Sequence, residues 1–157
     1  MRILIVTQTV NKNDPVLGFF HRWLEVWADR FEKITVICLE KGEYNLPSNV
    51  KVLSLGKEGN NFQFSIFNFQ KLQYLWRFYK YIWQERHQYD RVFVHMNQEY
   101  VLMAGVIWRL WGKKIYLWRN HKHGDFLTRI AVWLSDKVFY TSPSSFTAQF
   151  GNGVQMP

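Results

Sequence analysis

The chain has 157 residues, enough for one domain that buries roughly 70% of its unfolded surface and too few for two ordinary domains. Hydrophobic residues make up 48% and aromatics 18%, with eight tryptophans, which excludes disorder. A formal net charge of +8 points to an anionic partner, and nucleic acid, an acidic membrane surface and a phosphorylated small molecule all fit.

The opening "MRILIVTQTV" reads as a strand and not a signal peptide, since it has one basic residue, a short apolar core and no small-residue cleavage site. The longest apolar run, Val101 to Trp108, stops at Arg109, well short of the roughly eighteen residues a membrane span needs. Cys38 is the only cysteine and sits inside an apolar run, which excludes a disulfide or cysteine metal site and favours a reducing compartment. Strands are predicted at Arg2 to Thr7, Ile34 to Leu39, Val50 to Leu55, Arg91 to His95, Lys114 to Trp118, Lys137 to Tyr140 and Val154 to Met156. Most are continuous apolar runs, as expected of a parallel sheet covered on both faces.

Between the strands the apolar spacing becomes helical: Phe20, Trp23, Leu24, Trp27 and Phe31 in the first segment, Leu127, Ile130, Ala131 and Leu134 in a later one. Gly112 is placed to end a helix, Gly124 to open one, and Gly56 to Asn61 is the obvious loop. From Phe62 to Trp83 ten of 22 positions are aromatic, interleaved with Lys71, Arg77 and Lys80. On a helix, Leu72, Leu75, Trp76, Tyr79 and Trp83 form a stripe expected in the core, leaving Tyr74, Arg77, Phe78 and Tyr81 outward as a membrane or domain contact. The alternation as a whole predicts an α/β fold, a Rossmann-like doubly wound, mostly parallel sheet of about six to seven strands, as a single domain over 1–157.

In such a sheet ligands bind outside the carboxyl ends of the strands. Those ends carry Gln8 and, before the first helix, Gly18; then His95, Asn97, Gln98 and Glu99; then Arg119, Asn120, His121 and His123; then Thr141, Ser142 and Ser144. Arginine supplies forked donors and glycine lets an anion approach backbone, so the edge suits phosphate and hydroxyl groups. No G-x-G-x-x-G follows the first strand and no G-x-x-x-x-G-K-[ST] is present, which removes the dehydrogenase-type dinucleotide site and the P-loop. "TQTVNKND" resembles the phosphate loop of flavodoxins without its glycine, no acidic pair follows the first strand, and His121 with His123 lacks a third metal ligand.

With these residues in place, the chain resembles the N-terminal half of a GT-B glycosyltransferase, and within that fold glycosyltransferase family 4. The resemblance rests on "MRILIVTQTV", Gly18 leading into the first helix, "VFVHMNQEY", "KKIYLWRNHKHG", "LSDKVFYTSPSSF" and the closing "GNGVQMP". It implies an acceptor-side domain of an enzyme moving a sugar from a nucleotide-sugar donor to the hydroxyl of a glycan or lipid-linked acceptor, without metal or other cofactor and with retention of configuration. It also implies that His121 acts beside the transferred sugar and that the loop at Gly18 approaches the donor diphosphate; Gln8, His95, Asn97, Arg119 and Ser142, read from the strand ends, are expected to bind substrate. The family holds its donor in a C-terminal nucleotide-sugar domain absent from this chain, so the chain alone is expected to be inactive. Its expected location is cytoplasmic, peripheral at the inner membrane face, with no nucleic-acid partner. The alternatives are a flavodoxin-like cofactor-binding protein and a basic module that binds membrane or nucleic acid.

Overall fold

A computed structural model of the chain describes residues 1–59 and 67–156, without the side chains of residues 67 and 68. The loop end at Asn61 and the aromatic positions Phe62 and Phe64 lie outside the described residues. Two compact units are present, Met1–Tyr89 and Asp90–Pro157.

The first unit holds β1 (Arg2–Val10), α1 (Gly18–Ala28), β2 (Lys33–Lys41), β3 (Val50–Ser54) and α2 (Phe67–Gln84). Its strands lie in the order β3-β2-β1 and are parallel, with Leu4 opposite Thr35 and Val36 opposite Val52. Leu4, Ile5, Val6, Ile34, Val36 and Ile37 are fully buried, because α1 packs on β1 and α2 on β2. That explains why these strands read as apolar runs and not as alternating patterns. β1 runs three residues past its predicted end, since Thr9 and Val10 pair with Glu40 and Lys41. In consequence Gln8 sits inside a strand and not in a loop after it, although its side chain is exposed.

The facing of α2 is opposite to the prediction. Phe78 and Ile82 are buried, whereas Leu72, Trp76 and Trp83 stand out in solvent. Tyr81 donates its hydroxyl to the Ser54 carbonyl and Arg77 donates to the Leu55 carbonyl at 2.6 Å. Tyr74, Arg77, Phe78 and Tyr81 therefore do not form an outward contact face. The segment is apolar on both sides, so hydrophobic spacing alone cannot choose between them, and the carbonyls at the end of β3 select the side that carries Arg77 and Tyr81. Gly56, at φ 98°, makes this possible: a Cβ there would collide with the Arg77 guanidinium.

The second unit holds β4 (Arg91–His95), α3 (Gln98–Leu110), β5 (Lys114–Trp118), α4 (Phe126–Leu134), β6 (Lys137–Tyr140) and β7 (Gly153–Gln155). Its strands are parallel in the order β4-β5-β6-β7, and α3 packs on β4, β5 and α4. Gly112, at φ 69°, follows α3 as predicted, and its N–H donates to the Arg109 carbonyl. α4 buries Thr128, Ala131, Val132 and Leu134, while Leu127 is exposed, so its inner face is rotated from the expected one. At the start of β6, burial raises the Asp136 carboxyl, but the Ile115 N–H and Lys114 ammonium outweigh it and hold the group below the usual carboxylate range. Parallel strands with covering helices thus form the α/β, Rossmann-like fold that the sequence predicts.

Candidate functional site

Within the second unit, the carboxyl ends of β4, β5 and β6 bring several predicted residues together. His95 ends β4, Arg119, Asn120 and His121 follow β5, and Thr141 and Ser142 follow β6. A cleft of about 400 Å³ is lined by Met96, Asn97, Gln98, Glu99, Trp118, Arg119, Asn120 and His121. A smaller one of about 230 Å³ shares Gln98 and Arg119 with it and is lined further by His123, Gly124, Asp125 and Thr128.

The β5 loop is fixed by its own polar neighbours. Asn120 Oδ1 accepts the N–H groups of Ser142 at 2.9 Å and Thr141 at 3.3 Å. The Arg119 carbonyl accepts from the Thr147 hydroxyl at 3.0 Å, and the His121 carbonyl from the Phe146 N–H at 2.9 Å. The "TSPSSFT" stretch therefore acts as a brace for "RNH". Ser142 itself faces Ser144, with the two hydroxyl oxygens 2.8 Å apart. The strand-end pattern names Ser142 but not Ser145 and Thr147, which are buried and reach this brace.

Arg119 donates through Nη2 to the His123 carbonyl at 2.8 Å. Burial draws its guanidinium below its usual range, with the Asp125 and Glu99 carboxylates acting in the opposite direction. His121 is exposed, and its Nδ1 lies 3.1 Å from the His123 N and 3.0 Å from the His123 O. When Nδ1 accepts from the His123 N–H, the neutral ring carries its proton on Nε2, leaving a donor for a ligand oxygen. Asp125 caps α4 reciprocally with Thr128; the Thr128 N–H, then its hydroxyl, holds that carboxyl below the usual range.

His95 departs from its predicted place on the rim. It is fully buried, stacks on Trp118 with ring centroids 4.9 Å apart and planes 12° from parallel, and is therefore a support behind the cleft. Burial pushes its pKa down to about 4, so the ring is neutral at physiological pH. The strand end is covered on both faces, which the sequence position alone does not disclose.

The next residue, Met96, has φ 67°, and the Asn97 N–H donates back to the His95 carbonyl at 2.9 Å. This is a γ-turn with positive φ, a strained conformation that tends to occur at functional sites. The turn aims the backbone at the start of α3, where Asn97 is the N-cap with no side-chain cap bond, leaving its amide available to a ligand. No sequence signal marks it, since methionine has no preference for this region.

In the first unit, Gly18 starts α1, and a Cβ there would lie 3.0 Å from the Lys12 carbonyl oxygen. The close approach of its own loop thus gives a local reason for glycine. Among the described residues no group of three or more His, Cys, Asp or Glu side chains is placed to hold a metal.

One imidazole, one carboxylate, one guanidinium and three amides line the larger cleft, a set that recognises hydroxyl-rich ligands. Fold and cleft define a Rossmann-like α/β domain with its polar residues at the carboxyl ends of parallel strands. Among solved structures the chain is similar to MurG from Acinetobacter baumannii, with TM-score 0.57 and 11% identity over 98% of this chain and 44% of that one. It is also similar to the UDP-GlcNAc 2-epimerase from Methanocaldococcus jannaschii, with TM-score 0.51 and 14% identity over 90% of this chain and 40% of that one. No family model and no curated protein matches it. At these identities the likeness shows the fold alone, and the chain spans less than half of either structure.

Proposed function

We propose that the chain is the acceptor-side domain of a glycosyltransferase of the GT-B type, resembling family 4, that passes a sugar from a nucleotide-sugar donor to an acceptor hydroxyl with retention. The observation that carries this reading is the cleft that joins His121, Glu99, Arg119, Asn97, Gln98 and Asn120 at the carboxyl ends of β4 and β5. Its amides and carboxylate suit the hydroxyls of a glycan or lipid-linked acceptor. His121 contributes a ring donor beside the transferred sugar, and Arg119 keeps the His121–His123 turn in place through the His123 carbonyl. The loop at Gly18 is proposed to approach the donor diphosphate, while the Gly18 N–H itself donates to the Asp14 carbonyl at 3.0 Å.

In the reaction, the acceptor oxygen forms the new bond to the anomeric carbon as the bond to the diphosphate oxygen breaks. The nucleoside diphosphate leaves with the electron pair, and the hydroxyl proton passes to its departing oxygen. A second, donor-binding domain is required, so this chain alone is expected to give no turnover. The test is sugar transfer by the chain joined to such a domain. His121→Ala should lower kcat by roughly 100-fold while leaving the fold unchanged, the size of effect typical of one lost transition-state donor. Unchanged rates, or transfer by the isolated chain, overturn the assignment.

A further inference from the structure

The outward face of α2 carries an apolar stripe about 21 Å long, at 1.5 Å per residue from Phe69 to Trp83. Phe69, Leu72, Trp76 and Trp83 lie along it, exposed to 60%, 61%, 63% and 58%. Soluble helices normally turn such a stripe inward. Here the inward side is already filled by Phe78 and Ile82.

Cations accompany the aromatics. The Lys80 ammonium stands 4.9 Å from the Trp76 ring centroid, and the Arg86 guanidinium carbon 4.5 Å from that of Trp83. Trp76, Tyr79, Lys80 and Trp83 border an open, mainly apolar groove. The helix contains no aspartate or glutamate from Phe67 to Gln84, within a chain of net charge +8.

We infer that this face of α2 rests on a lipid bilayer rich in anionic headgroups. Tryptophan rings are amphipathic and settle at headgroup depth, leucine and phenylalanine reach the acyl boundary, and the stacked cations meet lipid phosphates. Charge complementarity favours this occupant, because positive charge without any acidic counterpart on the helix matches a surface of one sign. The inference does not depend on sugar transfer, and it moves the contact from Tyr74, Arg77, Phe78 and Tyr81 to the opposite side of the helix.

The test is co-sedimentation of the chain with vesicles of phosphatidylcholine alone and of phosphatidylcholine with phosphatidylglycerol. The chain should bind the second and release as salt rises. Trp76→Ala and Trp83→Ala should each weaken partitioning about tenfold through lost apolar burial. Lys80→Glu should weaken binding to the anionic vesicles and leave the weak association with phosphatidylcholine unchanged. All three side chains are solvent-facing, and circular dichroism should show unaltered folding. Failure to bind anionic vesicles, or equal binding by the Trp76→Ala/Trp83→Ala double variant, overturns the inference. Self-association that the double variant abolishes, in a chain that ignores vesicles, assigns the face to a protein partner and overturns it as well.

Discussion

Acid should destabilise this protein in a window set by His95. In the unfolded chain the imidazole takes up a proton near its ordinary value of 6.5, whereas in the folded chain burial delays this to about 4. Protons therefore favour the unfolded state, and the stability held at neutral pH is lost as pH falls from the upper value toward the lower. From these two titrations the loss is about 2 kcal/mol at pH 5 and about 3 kcal/mol at pH 4, relative to pH 7.5. Asp125 and Asp136 are held below the usual carboxylate range and so contribute mainly at lower pH. Urea unfolding at several pH values measures the slope, and replacing His95 by Phe, an aromatic that can still stack on Trp118, should flatten it. An unchanged slope in His95→Phe, or a His95 ring resonance titrating near 6.5 in the folded protein, refutes the reasoning.

Other residues carry separate expectations. Gly56→Ala places a β-carbon against the Arg77 guanidinium at a backbone angle disfavoured for alanine, so thermal unfolding should reveal a loss of about 1–3 kcal/mol. Asn120→Ala removes the acceptor shared by Thr141 and Ser142, and hydrogen exchange at those two amides should accelerate roughly fivefold or more, as the loss of about 1 kcal/mol of local stability implies.

Much of the fold was legible because buried parallel strands must be apolar throughout. The runs at Arg91 to His95 and Lys114 to Trp118 match their strands end to end. α2 was not, since Trp76 and Phe78 are equally apolar and only the Ser54 and Leu55 carbonyls, distant in sequence, decide which turns inward. At the candidate site, the strand-end reading names Asn97, Arg119 and His121, which line one cleft, because polar groups after an apolar run are visible in sequence. Burial of His95, the Met96 turn and the Ser145–Thr147 brace depend on tertiary packing, which leaves no local trace in the residues themselves.

The proposed acceptor site lies at the carboxyl ends of β4 and β5 and is expected to bind hydroxyl-rich glycans. An amide correlation spectrum of this chain, titrated with soluble glycans and short-chain lipid-linked sugars, tests it most directly. The predicted result is saturable shifts at Asn97, Gln98, Glu99, Arg119, Asn120 and His121, weakened in the His121→Ala variant. Shifts confined to other surfaces, or no shift with any member of the panel, contradict it.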